Sequence, residues 1–197
     1  VGLAVIDLYA RQGAQMGAKM QKGLIHLYTG EGKGKTTAAV GLAVRAAGAG
    51  KRVLFLQFMK GRDTGELHSL EKIPEISVLR SEKDFGFYFQ MTDAQKEELT
   101  RVHNELLKQA LSRTMDGEAD VIVLDEVTYP LNWGLLDETL LRRLLNRTDD
   151  KPHFPEIVCT GRNPQEWLLD CADYVTRMEC VRHPYERGIG AREGIEF

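Results

Sequence analysis

The sequence predicts a three-layer α/β domain, a mainly parallel sheet with helices on both faces, preceded by a helical arm. Short apolar segments recur along the 197-residue chain without alternating polar positions, which indicates strands buried on both faces. Segments with helical spacing separate these strands at regular intervals, as in parallel sheets joined by crossover helices. We expect residues 1–22 to form the arm and residues 23–197 the domain.

In the first half of the chain each predicted element has a local justification. Residues 4–20 contain no proline and are rich in Ala, Gln and Met, which favours a helical arm. Strands are predicted at 24–28 and 53–56. Between them lies a helix from 34 to 49, and glycines at 48 and 50 suit its C-terminal end.

The second half continues the alternation of strands and helices. Strands are predicted at 76–79, 121–124, 157–159 and 174–181, and helices at 92–115 and 137–146. Thr92 and Gln95 have capping-box spacing at the start of the long helix. Asn163 is predicted to cap a further helix, with Pro164 in its first turn and Glu166 at its third position.

The composition is that of a soluble globular protein. The formal net charge of −3 gives no basic excess of the kind that nucleic-acid binders carry. The sequence contains no apolar run of about 20 residues, the length that a membrane helix needs. Three sparse cysteines indicate reduced, mainly buried thiols. We therefore expect a cytoplasmic protein with no nucleic-acid or membrane partner.

The strongest local motif is Thr-Gly-Glu-Gly-Lys-Gly-Lys-Thr-Thr at residues 29–37, here called the phosphate-binding loop. Its glycines allow backbone N–H groups to approach anionic phosphates, and the following helix adds a favourable dipole. Lys35 supplies a full positive charge, and the Thr36 hydroxyl can coordinate Mg²⁺. The usual pattern has glycine where this chain has Thr29, so we expect Gly30 to make the turn instead.

About 90 residues after the loop, an apolar strand ends in Asp125 and Glu126. Carboxylates at the end of such a strand lie beside the metal in proteins with this type of loop. Together the two motifs predict binding of Mg·nucleotide. Asp125 and Glu126 could share metal binding and general-base work, and their spacing does not divide these roles.

Residues 23–197 resemble the P-loop class of ATP:corrinoid adenosyltransferases along their whole length. The motifs that carry the resemblance occur in the family's order: the shortened loop at 29–37, Gln-Phe-Met-Lys-Gly at 57–61, Val-Leu-Asp-Glu-Val-Thr-Tyr at 123–129, Thr-Gly-Arg at 160–162, and the closing Gly-Ile-Glu-Phe at 194–197. Five ordered matches are more specific than any one of them. The arm resembles the family only in being helical.

The resemblance implies that a corrinoid in the Co(I) state attacks the 5′ carbon of ATP and releases triphosphate. The nucleotide would lie reversed in the loop, with its ribose carbon exposed. Lys35, Thr36 and Glu126 would be catalytic, with Thr36 and Glu126 holding Mg²⁺. Arg162 would neutralise phosphate charge, and Lys60 has the same potential role. The residues expected to line the triphosphate are Gly30, Glu31, Gly32, Lys33, Gly34, Lys35, Thr36 and Thr37.

An aromatic segment at 84–90 provides a candidate surface for the flat corrin ring. The family has a Gly-Phe-x-Trp arrangement that presses on the lower face of the corrin and excludes an axial ligand. Phe87 matches its first aromatic residue, and Phe89 stands where Trp is commoner. The resemblance therefore implies catalytic roles for Phe87 and Phe89.

The family also implies a homodimer, with the arm reaching over the neighbouring site, and a flavoprotein that supplies Co(I). The C-terminal tail would fold over the nucleotide. Two alternatives remain: a phosphotransferase or ATPase that uses Glu126 as its base, and a nucleotide switch without catalysis. The preferred corrinoid is left open by the sequence.

Overall fold

The computed structural model describes residues 23–147 and 153–196. The predicted arm at 1–22 and the final Phe197 lie outside the described residues. The strands are β1 (Ile25–Thr29), β2 (Val53–Gln57), β3 (Ile76–Arg80), β4 (Val121–Asp125), β5 (Glu156–Thr160) and β6 (Tyr174–Arg177). The helices are α1 (Lys35–Gly48), α2 (Gly65–Leu70), α3 (Asp93–Met115), α4 (Thr128–Asn132), α5 (Glu138–Leu145) and α6 (Glu166–Cys171), with 3₁₀ turns at Tyr88–Gln90 and Pro184–Arg187.

All paired strands of the sheet run parallel, in the order β3-β2-β4-β5-β1-β6. The register places Gln57 of β2 beside Asp125 of β4, and Tyr28 of β1 beside Thr160 of β5. Because the carboxyl ends of parallel strands share one edge of the sheet, the residues that follow β1, β2, β4 and β5 meet there. The predicted fold class is confirmed.

Two apolar layers sandwich the sheet. On one face α1 packs through Ala39, Ala43 and Ala47, and these small side chains let the helix lie close to the strands. On the other face α3, α5 and α6 cover the larger apolar cluster. Since both faces are covered, every residue of β2 and β4 is buried, which explains why these strands lack alternation.

Two predicted boundaries are wrong. The last strand ends at Arg177 rather than at residue 181, and all its residues are exposed because it lies at the edge of the sheet. Helix α6 starts at Glu166 with Gln165 as its N-cap, so Asn163 does not cap it. Asn163 instead adopts a left-handed backbone (φ 48°), which belongs to the turn after β5. The short helices α2 and α4 were not predicted.

Other local predictions are confirmed. Thr92 and Gln95 form the reciprocal capping box at the start of α3. The three cysteines are unpaired, but only Cys159 is fully buried, whereas Cys180 is exposed. Within residues 23–147 and 153–196, no helix has the length and apolar character needed to cross a membrane.

Candidate active site

The phosphate-binding loop connects β1 to the N-terminus of α1. The ammonium of Lys35 donates to the loop's own carbonyls, at 2.6 Å from Gly30 O and 2.7 Å from Gly32 O. These carbonyls accept hydrogen bonds from the ammonium but do not neutralise its positive charge. Burial, followed by the nearby Arg162, lowers the pKa of Lys35 below its usual value. The loop therefore carries a concentration of positive charge suited to an anion.

The glycines let the loop pack against the end of β6. Gly30 has a φ of 101°, and a Cβ there would lie 2.4 Å from Met178 O. Gly32 N donates to the same carbonyl at 2.7 Å. Gly30 thus makes the turn that the usual first glycine would make, as expected. At the end of the loop, Gly34 is the N-cap of α1 with a φ of 117°.

The strand-end acids meet the loop at Asp125. Its side chain is fully buried, and Oδ1 accepts hydrogen bonds from Thr36 Oγ1 at 2.9 Å and Thr160 Oγ1 at 2.8 Å. Its other oxygen, Oδ2, lies 3.1 Å from Lys60 Nζ. Asp125, at the end of β4, therefore links three other parts of the site: the phosphate-binding loop, the segment after β2 and the end of β5.

Glu126 has different surroundings from its neighbour. Its backbone is left-handed (φ 62°), a strained conformation for a residue with a side chain. Its N–H donates to Thr160 Oγ1 at 2.8 Å, which helps to hold that conformation. Burial raises the pKa of Glu126, and the Lys60 ammonium partly opposes this shift. The turn brings Glu126 Oε1 to 3.6 Å from Lys60 Nζ.

Three carboxylates surround the ammonium of Lys60, a group here called the Lys60 cluster. Nζ lies 3.1 Å from Asp125 Oδ2, 3.5 Å from Glu66 Oε1 and 3.6 Å from Glu126 Oε1. Burial alone would lower the pKa of Lys60, but the carboxylates outweigh it and raise that pKa. Gln57 Nε2 donates to Glu66 Oε1 at 3.1 Å and so fixes that carboxylate.

The side chains at this edge fit a hard divalent cation. Carboxylate and hydroxyl oxygens are the donors that Mg²⁺ prefers, and it usually keeps several waters and phosphate oxygens as further ligands. The buried Gln57 Oε1 has no hydrogen-bond partner among the described residues, so it is an acceptor available to such a water. No group of three His, Cys, Asp or Glu residues in the described ranges forms a metal cage.

Arg162 lies across the phosphate-binding loop. Its Nε is 2.9 Å from Glu31 Oε2, and its Nη2 donates to Glu31 O at 3.4 Å. The turn before it is held by Thr128, whose Oγ1 donates to Arg162 O at 2.8 Å. A Cβ at Gly161 would lie only 1.9 Å from that hydroxyl, so glycine is required here. The Arg162 guanidinium therefore lies beside the phosphate-binding loop and is partly exposed.

A cavity of about 650 Å³ opens beside the Lys60 cluster. Lys60 and Glu66 belong to its wall, and so do Phe87 and the tail residue Glu196. The Phe87 ring is 66% exposed, with Arg62 Cζ 5.9 Å from its centroid. Next to Glu196 in the tail, Ile195 O accepts a hydrogen bond from Lys33 Nζ at 2.9 Å, which connects the phosphate-binding loop to the C-terminal tail. The cavity therefore lies between the acids, the aromatic segment and the tail.

Phe89 lies apart from the residues that line this cavity. It is 87% exposed, and its ring is edge-on to Tyr88 (5.4 Å between centroids) and to Trp133 (6.2 Å). Tyr88 and Trp133 are stacked, with centroids 4.5 Å apart. The structure thus separates the two aromatic residues that the sequence paired, and it puts the indole of Trp133, the C-cap of α4, beside Phe89.

The structure brings together most of the predicted site residues, at the loop and the end of β4, and leaves Thr37 exposed in the first turn of α1. The sequence left the roles of Asp125 and Glu126 undivided, and it did not identify Glu66, Gln57 or Thr160 as site residues. Gln57 and Thr160 each end a strand that enters the site, and that position is a signal which could have identified them. Glu66 lies on the unpredicted α2, so it had no such signal.

Comparison with protein families matches residues 21–197 to one described as ATP:corrinoid adenosyltransferase BtuR/CobO/CobP. The matched range includes the loop, the strand-end acids, the Lys60 cluster and the aromatic segment. It therefore covers every part of the site described above.

Curated relatives agree with that match. A corrinoid adenosyltransferase of Sinorhizobium sp is 34% identical over 182 residues, with 90% of this chain and 81% of that protein covered. One of Escherichia coli K12 is 33% identical (91% and 88% covered), and corrinoid adenosyltransferase CobA of Salmonella typhimurium is 32% identical (91% and 88%). Among solved structures, EssC (ATPases 2 and 3) of Geobacillus thermodenitrificans aligns with a TM-score of 0.48 and 16% identity over 88% of this chain and 35% of its own.

Proposed function

The chain belongs to the ATP:corrinoid adenosyltransferase family, and on that premise we propose that it transfers the 5′-deoxyadenosyl group of ATP to the cobalt of a Co(I) corrinoid. The cobalt electron pair forms the bond to C5′, and the C5′–O bond breaks with its electrons leaving on triphosphate. The reaction therefore needs no further oxidant or reductant. The observation that carries the proposal is the family match, because it spans the whole site.

The phosphate-binding loop would hold the triphosphate. Lys35 now donates to two loop carbonyls, and the same ammonium can turn to phosphate oxygens. Arg162, paired with Glu31 at the mouth of the loop, can add a second charge, and Lys33 a third. Because the leaving group is the whole triphosphate, its charge is the one that these residues need to stabilise.

Mg²⁺ would bind between the loop and the strand-end acids, with Thr36 and Glu126 as its protein ligands. When bound, it would neutralise part of the triphosphate charge. Asp125 would orient Thr36, since its Oδ1 already accepts a hydrogen bond from the Thr36 hydroxyl. Asp125 also accepts hydrogen bonds from Thr160 and Lys60, so its oxygens have fewer free lone pairs for a cation than those of Glu126.

The corrinoid would bind at the cavity beside the Lys60 cluster. Phe87 exposes an apolar ring at this cavity, which suits the face of a flat macrocycle. Phe89, on the Tyr88–Trp133 stack, would contribute a second ring after a local movement of the 3₁₀ turn. Family resemblance further supports a cytoplasmic homodimer that receives Co(I) through a flavoprotein.

A phosphorus NMR experiment tests the bond that breaks. The protein is incubated anaerobically with ATP, Mg²⁺ and chemically reduced cob(I)alamin. We expect intact triphosphate in amounts equal to the adenosylated corrinoid, and no cleavage of ATP without the corrinoid. An ATPase or phosphotransferase using Glu126 would instead yield orthophosphate or ADP from ATP without any corrinoid, and that result would contradict the proposal.

A further inference from the structure

We propose that Lys60 is a positioning residue whose ammonium takes the place of the divalent cation while the site is free of nucleotide. It would hold the carboxylates of the cluster in their binding arrangement and give way when Mg·ATP enters. The inference rests on the proposed function in one respect, that a divalent cation binds between Thr36 and Glu126.

The first support is the charge of the Lys60 cluster. Asp125 is fully buried, and the side chains of Glu66 and Glu126 are only 19% and 29% exposed. Carboxylates this close together repel one another unless a cation lies among them. Lys60 Nζ is within 3.6 Å of all three, so it balances the cluster in the protein alone.

The second support is the overlap of the two cation positions. A cation bound to Glu126 and close to Asp125 would share two of the three carboxylates that hold Nζ. Two positive centres at such a separation repel strongly in a partly buried site. The lysine ammonium and the divalent cation therefore compete for the same oxygens.

The third support is that Lys60 has somewhere to move. Its side chain lines the cavity of about 650 Å³, and a lysine stem has four flexible carbons. Glu66, held by Gln57 Nε2, also lines this cavity and can keep contact with the displaced ammonium. Displacement thus moves a positive charge to the cavity wall at the moment when the nucleotide site is filled.

The test measures Mn²⁺ binding to the nucleotide-free protein by electron paramagnetic resonance. Lys60→Gln keeps a donor for Asp125 but removes the charge, and Lys60→Met removes both. We expect both variants to bind Mn²⁺ roughly tenfold or more tightly than the wild type, because the competing cation is gone. The matched control is Lys108→Gln, which removes one exposed charge from α3 and should leave Mn²⁺ affinity unchanged. Equal or weaker binding by Lys60→Gln would overturn the proposal.

A second readout separates positioning from a purely structural ion pair. In EDTA we expect Lys60→Gln to melt at a lower temperature than the wild type, and saturating Mn²⁺ should restore most of that difference. If the deficit persists in Mn²⁺, Lys60 is only a structural partner and the inference is wrong. Neither readout involves a corrinoid, so failure here with intact adenosylation would leave the proposed function standing.

Discussion

Two adjacent carboxylates at the end of β4 show how single residues acquire different tasks. Asp125 is buried and has hydrogen-bond donors from Thr36, Thr160 and Lys60. Glu126, one residue later, is turned by a left-handed backbone and has its pKa raised by burial. The sequence places both at the strand end but cannot show this turn. From this geometry we propose that Asp125 orients Thr36 and that Glu126 is the direct ligand of a cation.

His103 gives a prediction about pH at the same scale. It is buried, its Nδ1 donates to Leu135 O at 2.8 Å, and its Nε2 accepts from Met59 N–H at 3.4 Å. A proton on Nε2 would point at the Met59 N–H, so the His103 ring must stay neutral to accept that hydrogen bond. Burial lowers the pKa of His103 from 6.5 to about 4.

Between pH 6.5 and 4 the unfolded chain therefore binds a proton at His103 that the folded protein does not. The free energy of unfolding that this difference contributes is fully present above pH 6.5. It falls by about 3 kcal/mol as the pH drops from 6.5 to 4. Urea unfolding of the wild type and of His103→Gln across these pH values measures it. We expect the variant to lose less free energy of unfolding on acidification, and parallel curves would show that His103 does not titrate in this way.

At the scale of elements, the aromatic segment before α3 is the part whose arrangement the sequence predicts least. Phe87 faces the cavity, whereas Phe89 lies on the stacked rings of Tyr88 and Trp133. Trp133 is the C-cap of α4, more than 40 residues away, so no local pattern connects it with Phe89. This aromatic surface forms only when the end of α4 packs against the segment before α3 in the folded protein.

Replacing either phenylalanine tests the corrinoid surface. We expect Phe87→Ala and Phe89→Ala each to lower adenosylation from Co(II) cobalamin plus reductant by roughly fivefold, since each removes an aromatic contact worth about 1 kcal/mol. ATP affinity, measured by calorimetry, should remain unchanged. Val44→Ala, on the exposed side of α1, is the matched control. If Phe89→Ala were fully active, the role proposed for that ring would be refuted.

For the whole molecule, the sequence predicted the fold well because the order of strands and helices follows from apolar periodicity. The crossover helices and the parallel sheet were foreseen, and so was the meeting of the loop with the strand-end acids. The errors occur where tertiary contacts decide: β6 ends early at the sheet edge, and α2 and α4 are too short to show a helical period. Glu66 and Trp133 enter the site region through those two helices.

The most direct test of the central claim is the visible spectrum of anaerobic cob(I)alamin mixed with ATP, Mg²⁺ and the protein. We expect a light-sensitive adenosylated corrinoid that forms only when the protein is present. Lys35→Ala should form it at least about a hundredfold more slowly, because it lacks the charge that stabilises the leaving triphosphate. If the wild-type protein binds ATP tightly yet forms no cobalt–carbon bond, the claim that this chain adenosylates corrinoids is contradicted.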